Sequence, residues 1–199
     1  MSWEIIAQAF WIILPAYIAN ASAVLVGGGT PIDFGKTYKD GKRILGNGKT
    51  WRGLIIGTLV GMIGGFGLSI AAIYINQTEF AFIGITDFLG FPYMIAIVFS
   101  ICFGALFGDI VESFFKRRRG ILRGKDWIPF DQIDFILGVL FVSFLISGLL
   151  DIIDLTKSNW FISNLTIWHI LFLLIVTPIF HILANLIHKE IIKSRKTKK

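Results

Sequence analysis

Charge is scarce in this chain. Of its 199 residues only 16% are Asp, Glu, Lys or Arg, while 55% are hydrophobic. A soluble domain carries about 25% charged residues, so the shortfall assigns the chain to the membrane class. Cysteine is nearly absent. Cys102 stands alone in an apolar run, which excludes an internal disulfide and any Cys-based metal site. Histidine is sparse too: His169, His181 and His188 are spread along the last apolar stretch without a cluster that could hold a metal. No Ser–His–Asp or Cys–His arrangement is visible. The opening stretch has no basic leader, carrying Glu4 instead, and is long enough to span, so it reads as a helix rather than a signal peptide.

What the chain does have is apolar length. A span needs about 20 mostly apolar residues. Five stretches qualify, over residues 3–26, 53–76, 92–115, 133–150 and 165–187. The expected fold is therefore all-α: one transmembrane domain over residues 1–199 with five helices. Lys36, Lys39, Lys42, Arg43, Lys49 and Arg52 fall in the connection 27–52. Lys116, Arg117, Arg118, Arg119, Arg123 and Lys125 fall in the connection 116–131. Lys189, Lys193, Arg195, Lys196, Lys198 and Lys199 fall in the basic tail 188–199. Only Lys157 lies in the alternate connections, which carry Glu79, Asp87, Asp151 and Asp154. The positive-inside rule then predicts an outer N-terminus and a cytoplasmic C-terminus. The net charge of +6 is a sidedness signal with attraction to anionic headgroups, and no nucleic-acid partner is expected. Trp3, Trp11, Trp160 and Trp168 fall toward the outer interface, as an aromatic belt would.

Gly53, Gly57, Gly61 and Gly65 recur every four residues and form one smooth helix face. Close helix packing is the expected use of such a strip; a lipid-chain groove or a homodimer contact are its alternatives. In the first span Pro15 is placed to kink the helix, and Asn20 is either interhelical glue or a substrate contact.

The chemistry gathers at two helix ends. Asp109 and Glu112 are three residues apart on one helix face, with Ser113 and Lys116 beside them. Asp131 and Asp134 repeat that spacing at the start of the fourth helix, behind Pro129, and Asp126 is close by. Ionisable groups at this depth face protein or a wet cavity. Oxygen-only ligands suit a hard cation such as Mg²⁺, and the adjacent Lys and Arg suit phosphates. An ion-pair network that merely closes the helix ends is the structural alternative. The loop VGGGTPIDFGKTYKDGKRILGNGKTWRG is rich in glycine and phosphate-donating side chains. Its Gly48–Lys49–Thr50 is not a P-loop, because the required glycine five residues earlier is Arg43 and no strand is predicted before it. It reads as a phosphate-contacting loop or as an ordinary basic loop.

The segment GDIVESFFKRRRGILRGKDWIPFDQID resembles the signature of the membrane CTP:phosphatidate cytidylyltransferases. Ser113, Lys116–Arg117, Lys125–Asp126 and the Asp131/Asp134 pair follow its order. Pro129–Phe130 and Gln132 depart from the bacterial pattern, and the chain is much shorter. PAYIANASAVLVGGGTPIDFGKTYKDGKRILGNGKTWRG is similar to the first span and loop of the archaeal CDP-archaeol synthases, over nearly the whole chain. The resemblance implies transfer of CMP from CTP to 2,3-bis-O-(geranylgeranyl)-sn-glycerol 1-phosphate, with Mg²⁺, in the cell membrane with the site on the cytoplasmic side. It implies Asp109, Asp131 and Asp134 as metal ligands with Glu112 as their partner, these three and Lys116 as catalytic, and Lys49, Thr50, Arg52, Lys116 and Lys125 as contacts of the triphosphate or lipid phosphate; Asn20, Glu112 and Asp126 complete the candidate substrate contacts. Another lipid phosphate, such as phosphatidic acid, is the alternative substrate. A small transporter is the alternative class, although its polar groups would lie nearer the midplane. The Asp-rich start of a CDP-alcohol phosphatidyltransferase is absent.

Overall fold

The computed structural model describes residues 2–122, 124–125 and 127–180. Helix α1 runs Trp3–Val26, α2 Trp51–Ile75, α3 Met94–Arg118 and α4 Phe130–Ile152. These four are long and apolar enough to cross a membrane. A short helix α5, Trp160–Asn164, leads into α6, Ile167–Phe180. The fifth expected span, 165–187, is thus helical from Ile167 as far as the described residues reach, and the basic tail lies outside them. Among the described residues there is no strand, only isolated bridges Pro31↔Thr50 and Thr37↔Arg43 in the first loop.

The expected α2 strip is the seam of the bundle. A Cβ on Gly57 would come 2.9 Å from the Ala19 carbonyl, and one on Gly61 would come 2.9 Å from the Pro15 carbonyl and 2.8 Å from Cys102 Sγ. Glycine is therefore needed for α2 to lie on α1 and α3 at this separation. The α3–α4 pair is built the same way. A Cβ on Gly104 would sit 2.7 Å from the Gly138 carbonyl, and one on Gly108 would run into the Asp134 carbonyl. Ile13, Ile97, Ile101, Ile136 and Leu173 fill the centre. Large apolar side chains such as Leu59, Ile63, Phe141 and Leu145 face outward, the distribution expected when lipid is the solvent.

At the end holding the short connections, Gln8 Nε2 donates to Ile83 O at 2.6 Å, and Gln8 Oε1 accepts from His169 Nε2 at 2.8 Å. Trp160 departs from the aromatic-belt expectation. It is 1% exposed, packs on Phe88 and donates its indole N–H to Thr86 Oγ1. Its polar atom finds a protein partner, so it needs no interface. Trp3 and Trp168 are exposed. His169 accepts from Thr166 N through Nδ1, a structural role; His181 and His188 lie outside the described residues.

Candidate active site

The first loop is organised by one carboxylate. Asp33 has a fully buried side chain. It accepts from Arg43 Nη2 at 2.7 Å, from the N–H groups of Leu45 and Gly46 at 2.9 Å each, and from Gly35 N at 3.1 Å. Burial works against the ionised form, but Arg43 and the three backbone donors outweigh it, and the carboxyl is held well below the usual carboxylate range. Gly46 reaches its bond to Asp33 with φ +96°, a conformation that favours glycine. The loop is then tied to the end of α3. Arg118 donates to Asp40 at 2.6 Å and lies 4.7 Å over the Tyr38 ring, and Lys42 Nζ donates to Arg118 O at 3.0 Å.

This folding sets residues 43–49 over the ends of α3 and α4. Between them lies a polar cavity of about 520 Å³ whose lining includes Arg43, Lys49, Asp109, Glu112, Lys116, Arg117, Asp131 and Asp134. Asp109, Glu112 and Asp134 each turn one oxygen into a cluster whose members lie within 4.8 Å of one another. Lys49 Nζ is 2.5 Å from Asp109 Oδ2. Lys116 Nζ straddles Asp131, 2.7 Å from Oδ1 and 2.8 Å from Oδ2, and is 3.1 Å from Glu112 Oε1. Asp131 Oδ2 also accepts from Trp127 N at 2.9 Å. Glu112 Oε1 is buried and, although in ion-pair range of Lys116, makes no hydrogen bond.

The expected metal ligands therefore divide. Asp109 and Asp134 are in the carboxylate cluster, Asp131 is held by Lys116, and Glu112 supplies the third oxygen of the cluster. Three carboxylate oxygens within 4.8 Å of one another, with no nitrogen or sulfur donor among them, fit a hard divalent cation.

The expected substrate contacts divide as well. Lys49 lies in the polar cavity. Asn20 lines a smaller cavity of about 90 Å³ that borders Lys49, Thr50 and Asp109. Thr50 caps α2, its Oγ1 accepting from Gly53 N at 3.1 Å. Arg52 donates to Val26 O at 2.6 Å and Gly27 O at 2.7 Å, closing the carbonyl end of α1. Lys125 is exposed and, unlike its neighbour Gly124, does not line the cavity, and Asp126 lies outside the described residues. Asp33 and Arg43 were given no site role from the sequence, and Arg117 entered only through the Lys116–Arg117 step of the family signature. The available signal for Asp33 was its rarity: with Asp40 it is one of two carboxylates in a loop of six cations.

A second cavity, also about 520 Å³, is lined by residues of α3 and α4 and the turn before α4. Phe107, Val111, Phe115, Phe130, Leu137 and Phe141 make it apolar. Glu112 and Asp134 line both cavities, so the carboxylate cluster is the wall between a polar chamber and an apolar groove.

The model of the CarS-like CDP-archaeol synthase family matches residues 2–194. CDP-archaeol synthase of Thermococcus onnurineus is 43% identical over 185 residues, covering 93% of this chain and 92% of the relative. That of Methanosarcina barkeri is 41% identical over 178 residues, covering 88% and 94%. A solved structure of an intramembrane enzyme for archaeal membrane lipids biosynthesis is similar at TM-score 0.68 and 32% identity, over 91% of this chain and 94% of that one. A polar chamber and an apolar groove meeting at a carboxylate cluster, and a match along nearly the whole chain, agree: the chain belongs to the CDP-archaeol synthase family.

Proposed function

We propose that this protein transfers CMP from CTP to 2,3-bis-O-(geranylgeranyl)-sn-glycerol 1-phosphate, yielding the CDP-lipid and pyrophosphate. The observation that carries the reading is the shared wall. Glu112 and Asp134 border both the polar cavity, suited to a nucleotide triphosphate, and the apolar groove, suited to an isoprenoid chain. The alternation of Lys and Arg along the sequence supports a cytoplasmic position for the polar cavity and an outer N-terminus.

The lipid phosphate is an anionic nucleophile and needs positioning more than deprotonation. One of its oxygens bonds to the α-phosphorus of CTP as the bond from that phosphorus to the bridging oxygen breaks, and pyrophosphate leaves with the electron pair. Lys49, Lys116, Arg43 and Arg117 line the chamber where that charge develops. Asp131 holds Lys116 through both oxygens and fixes where its ammonium points. Asp109, Glu112 and Asp134 would hold Mg²⁺, which supplies charge neutralisation at phosphate oxygens when bound.

The test is purified protein in detergent with α-labelled CTP, the geranylgeranylated glycerol phosphate and Mg²⁺. Label should enter a CDP-lipid only when lipid and metal are both present. Asp109→Asn should lower turnover by roughly 100-fold or more, the scale of removing a preorganised electrostatic group, while the protein stays monodisperse. Label that never enters lipid would overturn the transferase reading, and near-normal turnover of Asp109→Asn would overturn its place at the metal.

A further inference from the structure

The cations of the charged end fall into two sets by the cavity they line. Arg43, Lys49, Lys116 and Arg117 border the polar chamber. Arg119 does not; it borders the apolar groove, where it is the one cation among the described lining residues. Its guanidinium carbon lies 5.0 Å from the centroid of the Trp127 ring, and Trp127 stacks on Phe130 at 4.4 Å. Arg119 caps α3, its N–H bonded to Phe115 O, so it stands beyond the last helical turn at the groove's mouth. The seat is preorganised. A planar guanidinium laid on an indole keeps its in-plane donors free for a phosphate and loses little freedom on binding.

The chemistry requires such a group. In-line displacement puts the attacking phosphate opposite the leaving pyrophosphate. The chamber's four cations suit the leaving group, so the attacking phosphate arrives from the groove. There Glu112 and Asp134 line the wall, the chamber's cations do not line the groove, and Arg119 is the cation placed to receive the phosphate from the groove side. We infer that Arg119, seated on Trp127, binds the phosphate of the lipid substrate at the mouth of the α3–α4 groove. The inference rests on the transferase reading above. Trp127 also joins the two sides, since its backbone N–H holds Asp131 and its ring carries Arg119.

The experiment compares binding of three probes to the purified full chain without CTP: geranylgeranylated glycerol phosphate, the same lipid lacking phosphate, and chain-free glycerol 1-phosphate. Wild type should bind the phosphorylated lipid about ten-fold or more tightly than the alcohol, the scale of a charged hydrogen bond. Arg119→Gln should erase that gap and leave CTP affinity unchanged, which also reports an intact fold. Arg119→Lys should keep part of it. In turnover, Arg119→Gln should raise KM for the lipid and leave KM for CTP. An unchanged gap in Arg119→Gln, a loss of CTP affinity, or competition by chain-free glycerol phosphate as strong as by the lipid would each overturn the inference. A wild type that shows the gap but transfers no CMP would refute the transferase reading and leave Arg119 as the lipid-phosphate contact.

Discussion

Asp33 shows how one side chain can set a site it does not enter. It gathers the N–H groups of Leu45 and Gly46 and the side chain of Arg43, and so places the stretch that carries Lys49 against Asp109. Its pH dependence has a definite sign. The folded carboxyl titrates below its unfolded value, so its stabilisation is fully present above the ordinary carboxylate range and fades as pH falls through the depressed folded value. Asp33→Asn should therefore lower the melting temperature in detergent by several degrees at neutral pH, with a gap that narrows on strong acidification. It should also raise KM for CTP by loosening Lys49. A melting gap that stays constant from neutral to strongly acid pH would show that ionisation of Asp33 does not hold the loop.

Among the elements, α3 and α4 bring the two carboxylate pairs together, and they do so through glycine. Gly108 meets the Asp134 carbonyl, and Gly104 meets Gly138. Gly108→Ala should force the helices apart at Asp134, lowering both melting temperature and turnover. Gly67→Ala is the control: nothing lies within 4 Å of its added methyl, and helix propensity alone favours alanine by up to about 1 kcal/mol. Equal melting temperatures for the two variants would refute the close-contact role of Gly108. The four spans α1–α4 were legible in the sequence because apolar length and the GxxxG rhythm are local signals. So were the acid pairs Asp109/Glu112 and Asp131/Asp134, since a three-residue spacing fixes a shared face. The assignment of individual oxygens was not legible. Lys116 bridges Asp131 and Glu112, and Glu112 also joins Asp109 and Asp134, a division that depends on how α4 packs against α3. Arg52 was equally opaque: a basic residue in a phosphate-like loop turns back onto the carbonyls of Val26 and Gly27, a contact 25 or more residues away in sequence.

For the whole molecule, the decisive property is sidedness. The first loop and the end of α3 are bound to each other through Arg118, Asp40 and Lys42, so they share one face, and Lys157 belongs to the connection that follows α4. By the positive-inside rule we propose that the first lies on the cytoplasmic side and the second outside. In intact cells a membrane-impermeant maleimide should label Lys157→Cys at once and Lys39→Cys only after lysis. Labelling in the reverse order would invert the topology and place the polar cavity outside. The buried thiol of Cys102 decides how clean that reading is. It points at the Pro15 carbonyl, under the bare backbone of Gly61, with no exposed surface. The unaltered chain is thus its own silent background: any introduced cysteine reports alone, and every labelled position can be read without first rebuilding the protein around a missing sulfur.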